Sequence, residues 1–148
     1  MREKPLDLPS GFFVWGDKMA GMAYKGSRTN SSVASDHVEI EERHDDHYHD
    51  GTTSATIEGT LNGGSSNVYV NGRQAACNGD PVTETESYSI PSGWYWKSSD
   101  GGGTGYVTSG SSNVFVNGRQ AASAGSSVDT HAGTTTSIAE GSSNVHIN

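Results

Sequence analysis

Of the six histidines in this 148-residue chain, four fall in one acidic stretch, "DHVEIEERHDDHYHD", between His37 and His49. Imidazole nitrogen is a preferred zinc donor, and zinc draws three or four side chains together from separate chain segments. His131 supplies such a segment. "HDGTTS" at 49–54 and "HAGTTT" at 131–136 share His-x-Gly-Thr-Thr, and His47 and His49 point to one side of an extended segment. His131 stands ten residues before Gly141 and Asp100 ten before Gly110, so the intervening region offers Asp100, or nothing, where the others offer His. The competing reading is an acidic, His-rich loop that is merely solvated. His146 reads as a strand packing residue and Cys77 as a small buried one.

Catalysis finds little support. Neither a Gly-x-Ser-x-Gly elbow, a P-loop nor His-Glu-x-x-His is present, and Glu42, Asp45 and Asp46 are explained by a solvated charge run. With 17 Asp and Glu against 9 Lys and Arg, the chain lacks the clustered cations that nucleic acid or an anionic membrane would need. The single Cys excludes an intrachain disulfide. No stretch approaches the roughly 20 apolar residues of a membrane span, and the N-terminus lacks the apolar run of a secretory signal. Leu, Ile, Val and Phe number 22 of 148, which allows only a slim core.

The elements that must position these side chains are written in a repeat. "GSSNVYVNGRQAA" at 64–76 returns as "GSSNVFVNGRQAA" at 110–122, and the chain stops in a third copy, "GSSNVHIN". Asn-Gly between β-rich phrases predicts a two-residue hairpin turn, because both central positions need φ > 0. Hairpins are therefore expected at 68–70 with 73–77 and at the second copy, with Val68, Val70 and Ala75 on one face. "MAYKGS" at 22–27 matches a second hairpin strand that has no first, and "NVHIN" is a first strand that has no second. Pairing the two ends completes a third unit and removes unpaired strand edges. Loops of unequal length, Gly26 to Gly63, Gly79 to Ser109 and Gly125 to Glu140, leave the hairpins on one side. "WYW" at 94–96 reads as a small core within its loop, with a carbohydrate platform as the lesser alternative.

These three spaced phrases resemble the PAAR-repeat proteins, the tips of contractile injection machines such as phage tails and type VI secretion systems. The resemblance spans about Ala20 to Asn148. The family's Pro-Ala-Ala-Arg reads Arg-Gln-Ala-Ala here, and its Gly-Asp survives only at Gly79-Asp80, becoming Gly26-Ser27 and Gly125-Ser126. The resemblance implies a small all-β, pseudo-threefold cone whose base caps a trimeric β-helical spike, one chain per trimer, and whose apex holds one metal ion. Zinc is the expected ion, with iron as the alternative. His37 then joins His47, His49 and His131 as a candidate ligand, being the first His after Gly26, where the family often places one.

The expectation is a non-enzymatic tip domain over residues 20–148, preceded by an extension over 1–19 containing "GFFVW". It works against a target cell envelope without stable membrane insertion, in a virion tail or in an apparatus loaded from the cytoplasm. The chain's end inside a repeat leaves no room for a fused toxin beyond it. The alternative is a repeat-based glycan- or ion-binding module.

Overall fold

The structure, a computed structural model, describes residues 19–148. The apolar run at 12–15 lies outside the described residues. Every element within them is a strand. Three short hairpin units carry β1 (Ala20–Gly21) with β13 (His146–Ile147), β4 (Tyr69–Val70) with β5 (Arg73–Gln74), and β9 (Phe115–Val116) with β10 (Arg119–Gln120). Between them run β2 (Ser32–His44), β3 (His47–Leu61), β6 (Pro81–Ser87), β7 (Trp94–Ser98), β8 (Gly102–Val107), β11 (Ser127–Asp129) and β12 (Thr135–Ser137). The latter seven form one antiparallel sheet in the order β12-β11-β8-β6-β3-β2-β7. The segments expected as irregular loops are therefore largely sheet. In β6, "PVTETES", one apolar residue precedes alternating Thr and Glu, whereas β2 and β3 carry a period of two, with Val38, Ile40, Ala55, Ile57 and Leu61 buried.

The Asn-Gly turns form as the sequence predicts, with positive φ at Asn71 and Gly72 and again at Asn117 and Gly118. Tyr69 pairs with Gln74 and Phe115 with Gln120, and at the third position His146 pairs with Gly21 across the two chain ends. Ring closure thus occurs in the repeat's own register, carried by Ala20–Gly21 just ahead of Met22. The three units bond to one another in a cycle. Ala76 N–H donates to the Ala23 carbonyl, Ala122 to Ala76, and Ala23 to Ala122, at 2.9–3.0 Å. All three alanines are fully buried. Backbones that close leave room for little beyond a methyl group, which accounts for the second Ala of each Arg-Gln-Ala-Ala.

Two layers of core stack along this pseudo-threefold axis. Val70, Val116 and Ile147 pack with Met22, Ala75 and Ala121 beneath the alanines, and Leu61, Val107 and Ile138 join Val82 and Val128 on their other side. Each Val, Leu, Ile or Met among them contributes about 1.5–3 kcal/mol on burial. Val68 does not share the buried face with Val70. It lies at the surface, with its carbonyl bonded to Ala75 N–H. His146 is exposed as well, on the outward side of its strand like Tyr69 and Phe115. Cys77 is fully buried in the hairpin layer, and burial raises its thiol pKa.

The Gly-Asp and Gly-Ser variants prove to do one job. Tyr24 N–H bonds Ser27 Oγ, Cys77 N–H bonds Asp80 Oδ2, and Ser123 N–H bonds Ser126 Oγ, closing three equivalent turns.

Candidate metal centre

Along β6, Val82 belongs to the core layer above the alanines, and Glu84 and Glu86 follow on the same side of the strand, each about 7 Å further from the hairpins. Both carboxylates are almost fully covered. A charged group there must be paired, and the partners come from two other segments.

His131 sits in the tight connection from β11 to β12, which Thr130 organises. Its Oγ1 accepts the N–H groups of Ala132 and Thr134, both at 3.2 Å. The Glu84 Oε1 atom accepts the His131 backbone N–H at 2.7 Å and lies 2.6 Å from Nδ1 of the same ring. The opposite ring nitrogen, Nε2, lies 2.7 Å from Glu86 Oε2. β8 makes room for this ring. Gly103 pairs with Glu84 across the ladder, and a Cβ added there would stand 2.6 Å from the His131 ring.

His37 arrives through an irregularity. The β2–β3 register breaks between Ala34 and Val38, and Asp36 takes a positive φ of 54° while its carboxylate accepts the Thr52 hydroxyl at 2.7 Å. Such a bulge re-aims a side chain, here bringing His37 Nε2 to 2.5 Å from Glu86 Oε2 and 3.3 Å from Asp100 Oδ2. Asp100, from the turn between β7 and β8, is the exposed member, and its Oδ2 lies 3.9 Å from His131 Nε2.

One donor atom from each of His37, Glu86, Asp100 and His131 falls within 4.8 Å of the others. Two imidazoles and two carboxylates so placed can hold a metal ion, with Glu84 fixing the ring of His131 from behind. Protons compete for the same place. Burial by itself would push the His131 imidazole down, but its bonds to Glu84 and Glu86 outweigh this and raise its pKa. For Glu86, burial pushes upward, and bonds from His131, His37 and the Gly101 N–H hold it below its ordinary value.

Of the four sequence candidates, the structure brings His37 and His131 together and places His47 and His49 elsewhere. The shared His-x-Gly-Thr-Thr phrase has two settings. At His131 it forms a turn, with Gly133 at φ 82°, whereas at His49 it runs straight through β3, and His49 pairs with Glu42 well past the bulge. Asp100 stands where counting from the next repeat puts a ligand. Glu84 and Glu86 were missed. Their signal was the i, i+2 spacing in "TETES", which aims two carboxylates to one side of a strand.

Closed hairpin units around a pseudo-threefold axis, with a potential ligand group beyond their core, define a class of single-chain, threefold-repeat β proteins. Residues 99–148 match the family model described as the PAAR motif. That match over the last third of the chain is consistent with a PAAR-repeat protein, and the motif points to spike-tip proteins of contractile injection systems generally. A comparison with curated proteins gave no match.

Proposed function

We propose that this chain is the structural, non-catalytic tip of a contractile injection machine, capping a trimeric spike through its hairpin units and helping to pierce the target envelope. The observation that carries the reading is the closed cycle of bonds Ala76 to Ala23, Ala122 to Ala76 and Ala23 to Ala122. It gives a single chain three equivalent outward positions, occupied by Tyr69, Phe115 and His146, of which Tyr69 and Phe115 are 56% and 55% exposed. One chain can then meet three identical subunits. Partner and place follow from that role: a trimeric spike, in a virion tail or an exported apparatus.

The ion assigned to His37, Glu86, Asp100 and His131 is zinc, with iron as the alternative, since imidazole with carboxylate suits either. Its part is mechanical. It ties β2, β6, the β7–β8 turn and the β11–β12 turn together and adds its binding free energy to the folded state. The alternative, a glycan-binding module, draws on the exposed Tyr95 and Trp96.

The test is Tyr69→Glu with Phe115→Glu. The pair should abolish binding to the spike while leaving the melting temperature within a few degrees of the parent. Undiminished spike binding by a folded double variant would reject this face as the docking surface.

A further inference from the structure

Three of the four remaining histidines stand together, His146 being in β13. At the end of the β2–β3 hairpin, Glu42 pairs with His49, Arg43 with Tyr48 and His44 with His47 around the Asp45-Asp46 turn, where Asp45 has φ 48°. Side chains alternate along a strand, so Glu42, His44, His47 and His49 all project from one face. The 3.3 Å approach of His44 Nε2 to Glu42 Oε2 agrees with this. Arg43 and Tyr48 take the other face, beside Tyr95 and Lys97 of β7. Arg43 bonds Glu41 at 2.8 Å and covers the Tyr95 ring at 4.4 Å, and Lys97 bonds Asp50 at 2.8 Å.

We propose that this face is a second transition-metal site, in which His44, His47 and His49, with Glu42, close on one divalent ion of the zinc or nickel class. Directly opposed residues have Cβ atoms about 4.5–5.5 Å apart, and same-strand neighbours at i, i+2 are about 7 Å apart. The four groups therefore mark the corners of a small rectangle from which flexible side chains can reach a common centre. Three imidazoles select zinc, nickel or copper over magnesium and calcium. Asp45 and Asp46 in the adjoining turn add negative charge that favours a cation. None of these residues belongs to the His37–His131 group, so the two sites load independently.

An ion here has a structural use. Beyond Glu42, which pairs with Trp94, the hairpin has no third strand among the described residues. Its end is held by the ladder between its own two strands and by the Arg43–Tyr95 contact. Cross-strand ligation would staple that end.

The experiment uses the untagged full chain, titrated calorimetrically with zinc and with nickel. The wild type should take up one more ion per chain than the triple variant His44→Ala, His47→Ala, His49→Ala, and excess magnesium should not compete. The His37→Ala, His131→Ala double variant should still take up the hairpin ion, which keeps this outcome separate from the fate of the first site. Equal uptake by wild type and triple variant overturns the proposal. So does a ratio of one ion to two chains, which would place the ligands between molecules, or loss of all uptake in the double variant.

Discussion

His37 and His131 address the same oxygen of Glu86, at 2.5 and 2.7 Å, with their rings edge to face and centroids 5.7 Å apart. His131 faces a carboxylate oxygen with each ring nitrogen, Glu84 with Nδ1 and Glu86 with Nε2, so without a metal ion the group needs one proton beyond that of a neutral imidazole. Replacing His37 and His131 together by Ala should remove one stoichiometric ion from the purified chain and lower its melting temperature. Changing His146, on the hairpin face, should leave metal content intact. Metal analysis and thermal melts decide it, and an unaltered ion in the folded double variant would refute the ligand assignment.

Proton and metal predict opposite responses to pH. In the chelated chain, His131 has a raised pKa, so its contribution is complete below 6.5 and is lost as pH rises through the raised value. Glu86 has a lowered pKa, so its contribution is present above 4.5 and is lost as pH falls through the lowered value. The groups facing them are His37, Glu84 and Asp100. With chelator, thermal stability should therefore peak in mildly acidic solution and fall towards pH 9. With metal it should not fall over that range, because the neutral imidazole is the ligating form. Parallel curves with and without chelator would contradict the shared site.

The equivalence of Ser27, Asp80 and Ser126 makes a third prediction. Asp80→Ala leaves the buried Cys77 N–H unpaired and should cost about 1–3 kcal/mol, or roughly 5 °C in melting temperature for a chain of this size. Asp80→Ser should recover most of that loss, since serine closes the other two turns. Equal destabilisation by both substitutions would show that the Arg119 ion pair at 2.8 Å, and not the turn, is what Asp80 supplies.

What the sequence disclosed divides along physical lines. Hairpins, ring closure and register were legible because Asn-Gly dictates a local geometry and because the "NVHIN" end lacks a partner that the N-terminal strand supplies. The long sheet was missed although β2 and β3 alternate, with Val38 and Ile40 buried in one and Ala55, Ile57 and Leu61 in the other; in β6 only Val82 marks the inward face before Glu84 and Glu86. Asp100 could be placed by counting from the next repeat, and His37 only through the family resemblance. His49 was misplaced because the same five-residue phrase forms a turn only where Thr130 precedes it, and the bulge at Asp36 that turns His37 inward has no signature in residue types.

If this chain caps a trimeric spike as proposed, the mass in solution of the complex should correspond to one chain per trimer, because Tyr69, Phe115 and His146 offer three similar but unequal positions. A complex of three chains per trimer would contradict the threefold argument and with it the proposed role as a tip.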